Sequence, residues 1–120
     1  MEYLLLIYED ATTPVECQTP SNEDGHSTVL DEYMAFTKEV ESAGILLGAN
    51  PLQPIETATT VRIRNGKTET VDGPFAETKE NLAGYYLLNC QSQDEALTWA
   101  AKIPGAKWGS IEVRPIMNLT

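Results

Sequence analysis

Thr59-Thr60-Val61-Arg62-Ile63-Arg64-Asn65-Gly66-Lys67-Thr68-Glu69-Thr70-Val71 is the stretch on which the fold turns. β-Branched residues crowd both arms, and Asn65-Gly66 stands between them. Asn-Gly favours a two-residue turn with both residues at positive φ, because that turn's twist matches the twist of the strands it joins. The turn sets the register: Arg62 falls opposite Glu69, a favourable cross-strand pair, and Arg64 opposite Lys67, a like-charged pair tolerable only in solvent. Polar side chains on both arms predict a hairpin extending from a larger sheet. With the hairpin set aside, its flanks become two similar halves.

In the first half, Tyr3-Leu4-Leu5-Leu6-Ile7-Tyr8 is a near-continuous apolar run closed by Glu9-Asp10, which predicts a strand buried on both faces. Residues 9–27 are polar and contain Thr13-Pro14, Thr19-Pro20 and Asp24-Gly25, the composition of a long loop of the kind usually reserved for function. From Ser27 or Thr28 the period becomes helical. Val29, Tyr33, Phe36, Val40 and Ala43 form the apolar stripe, and Gly44 supplies a left-handed C-terminal cap. Ile45-Leu46-Leu47 opens a second strand that Pro51 and Pro54 end. In the second half, Ala83–Cys90 is an apolar strand, and Ser92-Gln93-Asp94-Glu95 is a capping box. The helix it starts carries Ala96, Leu97, Ala100 and Ile103, and Pro104-Gly105 stops it. Ile111-Glu112-Val113-Arg114-Pro115-Ile116 alternates, and its proline favours an edge.

The order is β-α-β, hairpin, β-α-β, a ferredoxin-like α+β plan in one domain spanning residues 1–120. Two helices cover only one face of such a sheet. Residues 3–8 and 85–88 are apolar on both faces, so a second copy of the chain is expected on the other, as a homodimer with sheets packed face to face.

Eighteen acidic against eight basic residues give a net charge of −10. The imbalance is local, because Lys38 is the only Lys or Arg in the first 61 residues. That distribution argues against nucleic acid or an anionic membrane as partner, since phosphate binding is driven by Lys and Arg. No apolar run reaches the roughly 18 residues of a membrane span. The N-terminus lacks the basic region and cleavage site of a signal peptide, and a cytoplasmic protein is expected. Cys17 and Cys90 lie in a polar loop and at the end of an apolar strand, with no Cys-x-x-Cys, so neither a disulfide framework nor a zinc site is expected.

Chemistry has few places to reside. His26 is the only histidine, with Asp31 five residues on, and is a candidate general base. It also reads as a solvated residue before a helix. Asp10, Glu23, Asp24, His26 and Asp31 match neither an EF-hand nor a zinc spacing, so no metal or other cofactor is expected. Asp72-Gly73-Pro74-Phe75-Ala76-Glu77-Thr78-Lys79-Glu80 is richer. Structurally, Pro74 and Asp72 would set a defined turn, Phe75 would anchor it, and residues 77–80 would form a short solvated helical turn. Functionally, Asp72 and Glu77 would sit at the mouth of a cleft with Lys79 nearby, handling a proton or binding a small polar ligand. Asp72 is therefore a second catalytic candidate.

Asp72-Gly73-Pro74-Phe75 followed by Ala76-Glu77-Thr78-Lys79-Glu80 resembles the signature of the YCII-related proteins known as the DGPF group. Tyr3-Leu4-Leu5-Leu6-Ile7-Tyr8, Ala58-Thr59-Thr60-Val61-Arg62, Asp94-Glu95-Ala96-Leu97-Thr98-Trp99-Ala100 and Ile111-Glu112-Val113-Arg114-Pro115 agree with it. The resemblance implies a dimeric α+β barrel. It also implies, for the wider group, a His–Asp dyad at the first helix and, in some members, lyase chemistry that removes halide from aromatic substrates. The chain departs here, for its helix from Val29 to Ala43 has no histidine. For DGPF proteins the resemblance implies association with extracytoplasmic-function sigma factors. Two readings follow. One is a dimer that binds a small polar molecule in a cleft between sheet and helices lined by Tyr8, Arg62, Asp72 and Phe75, with or without lyase- or isomerase-type acid–base chemistry. The other is a non-catalytic accessory protein whose acidic surface meets a partner such as a sigma factor.

Overall fold

The computed structural model describes residues 1–10, 29–73 and 80–119. Six strands and two helices follow the expected order: β1 (Glu2–Asp10), α1 (Val29–Ser42), β2 (Leu46–Pro51), β3 (Thr59–Arg64), β4 (Lys67–Asp72), β5 (Glu80–Asn89), α2 (Gln93–Lys102) and β6 (Ser110–Pro115). Short 3-10 turns at Ile55–Thr57 and Pro104–Lys107 complete it. Four strands form an antiparallel sheet in the order β2-β5-β1-β6, and β3-β4 form a separate two-stranded sheet. This is the ferredoxin-like α+β arrangement with an added hairpin.

Local chemistry sets the element ends. Asn65 (φ 53°) and Gly66 (φ 75°) take the positive-φ turn, and the pairing places Arg62 opposite Glu69 and Arg64 opposite Lys67. Gly44, at φ 73°, follows α1 as its left-handed cap. The Ser92 hydroxyl accepts the Glu95 N–H at 3.2 Å, and the Glu95 carboxylate reaches back to the Gln91 N–H at 3.0 Å, one residue before the cap itself. Pro115 ends β6 at the sheet edge, where its missing N–H costs no ladder bond.

The core lies between the sheet and the two helices. Tyr3, Leu5 and Ile7 of β1 and Tyr86 and Leu88 of β5 point one way, toward Phe36 and Val40 of α1 and Ala96 and Ala100 of α2, with Cys90 and Ile103 sealing the end. Phe36 meets Tyr86 edge-on at 5.0 Å and Trp99 at 6.2 Å. Pairs of this geometry add about 0.5–1.5 kcal/mol to their burial. Helical periodicity overreached at the margins: Ala43, past the last residue of α1, and Leu97, on the outer side of α2, are both exposed. Glu80 also differs from expectation. It is the first residue of β5, paired with Asp10 and accepting a hydrogen bond from the Ser110 hydroxyl at 2.9 Å, because the strand begins earlier than its apolar run.

On the other face, register brings together Leu4, Leu6 and Tyr8 of β1 with Leu82, Tyr85 and Leu87 of β5, flanked by Glu112 and Arg114 of β6. Both helices lie on the opposite side. One irregularity matters for the cleft. Ile7 pairs with Gly84 and Tyr8 with Leu82, so Ala83 is an extra residue in β5. Its carbonyl accepts the N–H of Leu52 at 2.8 Å, which ties the chain leaving β2 to the sheet.

Candidate functional site

A cleft of about 820 Å³ opens between the first turns of α1, the ends of β1 and β2, the start of β5 and residues 51–56. That volume is in the range of small-molecule sites. Its walls are mostly apolar, with Ile7, Leu30, Met34, Leu52 and Ile55 among them. A few hydroxyls and carboxylates interrupt them.

Tyr33, Thr37 and Tyr86 form the polar part of the helix-facing wall. Tyr33 and Thr37 are one turn apart on α1, and Thr37 donates its single hydroxyl proton to the Tyr33 carbonyl at 2.9 Å. Its oxygen lies 2.8 Å from the Tyr86 hydroxyl, so Tyr86 must be the donor in that bond. Burial raises the Tyr86 phenol above the ordinary tyrosine value, against the opposing effect of Thr37, and it stays protonated. The Tyr33 hydroxyl accepts the Gly105 N–H at 3.1 Å. Burial first, and the nearby Glu9 carboxylate second, raise the Tyr33 phenol far above its usual value. Both phenols therefore stay protonated and do not serve as bases: the Tyr86 proton is given to Thr37, and the Tyr33 oxygen accepts from Gly105. Glu9 in turn accepts the Trp108 indole N–H at 3.4 Å.

Gly105 explains how the second half of the chain reaches this wall. A Cβ there would stand 2.6 Å from the Tyr33 hydroxyl and 3.2 Å from the Ile7 side chain, so only glycine lets the backbone approach. Lys107, two residues on, bonds to Glu32 at 3.0 Å and fixes the same segment to α1. At the β2 edge, on the sheet face away from the helices, the Asn50 amide donates to the Tyr85 hydroxyl at 2.8 Å.

Three of the residues singled out from sequence, Tyr8, Arg62 and Asp72, lie elsewhere. Tyr8 points to the sheet face away from the helices and donates to Glu112 at 3.3 Å. Its phenol is raised by loss of water contact and then by Glu112. Arg62 is half-buried on β3, opposite Glu69. Asp72 ends β4, exposed, and its carboxylate has no hydrogen-bond partner among the described residues. The turn after it is held by the backbone instead: the Gly73 N–H donates to the Ala58 carbonyl at 2.7 Å, and the Thr60 hydroxyl to the Gly73 carbonyl at 2.8 Å. None of the three borders the cleft. His26, Phe75, Glu77 and Lys79 lie outside the described residues, as does Cys17. Burial and then Glu95 raise the Cys90 thiol, the opposite of what a reactive thiolate needs.

Sequence reasoning missed the Tyr33–Thr37–Tyr86 wall. The available signal was a threonine beside the apolar stripe of α1, one turn from a tyrosine on it. Among the described residues there is no cluster of three or more metal-ligating side chains, and no helix is long and apolar enough to cross a membrane.

An uncharacterized protein of Rhizobium meliloti (strain 1021) is 38% identical to the chain over 118 residues, covering 97% of this chain and 92% of that protein. The family model for the YCII-related domain matches residues 1–120. With its ferredoxin-like sheet, inserted hairpin and sheet–helix cleft, the chain belongs to the YCII-related family.

Proposed function

We propose that the protein binds a small organic molecule, largely apolar with a polar end, in the cleft between α1 and the sheet. The observation that carries this reading is a cleft of about 820 Å³ with apolar walls and two protonated phenols, Tyr33 and Tyr86, fixed by hydrogen bonds at one side. Such sites combine apolar lining with a few placed polar groups. Acid–base chemistry at the site would need a base other than its phenols, and Glu9 is the carboxylate beside Tyr33. The working form we propose is a homodimer of the DGPF group, cytoplasmic, with Leu4, Leu6, Tyr85 and Leu87 of one sheet covered by the same residues of a second copy.

The test is a fragment screen followed by amide chemical-shift mapping. Binders should perturb Ile7, Thr37 and Ala49, and Thr37→Val should weaken them several-fold while the far-ultraviolet spectrum is kept. Shifts scattered over the surface, or confined to the hairpin, would sink the cleft as the site. The exposed acidic side chains Asp31, Glu39 and Glu41 along α1 support a second reading, an accessory role toward a basic partner such as a sigma factor. Affinity for such a partner would fall steeply with salt.

A further inference from the structure

We infer that the cleft selects an organic cation, an amine carried on an apolar body, over the neutral and anionic molecules of the same shape. This rests on the reading of the cleft as a small-molecule site and adds the charge of its ligand.

Glu9, Asp10 and Glu56 border the cleft, and no Lys, Arg or His does so among the described residues. Lys38, the one Lys or Arg in the first 61 residues, does not border it. The two cations packed against α1 from α2 and the following turn are already opposed, Lys107 by Glu32 at 3.0 Å and Lys102 by Glu39 at 3.9 Å. One feature favours an anion. The N-terminus of α1 borders the cleft and carries roughly half a positive charge. The carboxylates of Glu9 and Glu56 at the cleft exceed that half-charge.

The walls suit the rest of such a ligand. Ile7, Leu30, Met34, Leu52 and Ile55 supply apolar surface, and Tyr33 adds an aromatic ring, which attracts a cation through its face. An anion entering the same space would lose hydration with no basic side chain among the described residues to replace it, which costs more than leaving a neutral group there. The phenolic hydroxyls favour no charge strongly, since a phenol both donates and accepts.

The experiment compares three matched probes, 2-phenylethylamine, 2-phenylethanol and phenylacetate, by calorimetric titration and amide-shift mapping at pH 7. The amine should bind at least about tenfold more tightly than either of the others, with shifts at Ile7, Thr37 and Ala49. Raising salt should weaken it. Glu9→Gln and Glu56→Gln should each reduce amine affinity several-fold and leave the alcohol unchanged. Glu56 sits on an exposed turn, so its variant keeps the measurement interpretable if Glu9→Gln disturbs packing around Trp108. Equal binding of all three probes at the cleft would overturn the cation preference and leave the small-molecule reading standing. Tighter binding of phenylacetate would overturn it outright. Absence of shifts at the cleft with every probe would remove both.

Discussion

The four-stranded sheet and the β3–β4 hairpin are both antiparallel and are held by different forces. In the sheet, Leu5 and Leu88 have lost all contact with water, as has Val40 of α1 above them, and packing against two helices fixes each strand. In the hairpin, only Thr60 and Arg62 are even half-buried, while Val61 is 60% exposed and Ile63 66% exposed. There the conformation comes from the Asn65-Gly66 turn, six cross-strand pairs and the bonds at its base from Gly73 to Ala58 and from Thr60 to Gly73. One region is specified by what it buries, the other by its turn. Substitutions should therefore act on opposite features in the two regions.

The largest effect is expected from Leu5→Ala, at about 3–5 kcal/mol, because the cavity it leaves is enclosed on every side. Chemical denaturation measures it, and a loss below about 1 kcal/mol would mean the core is not where the contrast places it. Alkali should come next. Tyr33 and Tyr86 have phenols raised above the unfolded value, so their contribution is fully present below about pH 10 and is lost as pH climbs toward the folded values. Each should cost up to about 1.4 kcal/mol per pH unit above 10. The combined Tyr33→Phe, Tyr86→Phe variant should show a flatter decline in denaturation midpoints measured between pH 9 and 11. Gly66→Ala is smaller, about 1 kcal/mol, set by backbone strain at φ 75° with no atom within 4 Å to clash. Hydrogen exchange should register it as faster exchange in residues 59–72 and barely at β1 or β5. At the bottom, Val61→Thr should change stability by less than about 0.5 kcal/mol although it removes an apolar side chain from a strand. A loss above 1 kcal/mol in this variant would show that the exposed hairpin face is covered in solution, and its dependence on protein concentration would show whether by a second copy.

The same contrast explains what could be read from the sequence. Asn65-Gly66, Gly44 and Ser92 act through bonds three or four residues long, so their neighbours suffice to place the turn, the cap and the register of Arg62 with Glu69. The apolar run from Tyr3 to Tyr8 marked a buried strand for the same reason, and only the structure showed that Tyr3, Leu5 and Ile7 are the residues that face the helices. The cleft wall could not be read that way. Thr37 meets Tyr86 across 49 residues and Gly105 meets Tyr33 across 72, contacts that exist only after β5 has inserted beside β1 and the turn after α2 has folded back. The Asp72–Glu80 segment drew attention because its residues are chemically dense. Density along a chain and convergence in space are different properties, and Asp72 at an exposed strand end has the first without the second among the described residues.

Ala83 gives the cleft a lineage of its own. Because the residue is surplus to the pairing of β1 with β5, its loss would leave Ile7 with Gly84 and Tyr8 with Leu82 and would simply straighten the strand. What would go is the anchor for Leu52, and with it the wall formed by residues 52–56. Relatives that lengthen or shorten the chain at this one point would resize the chamber while inheriting the core unaltered, so ligand preference could diverge within the family faster than its fold.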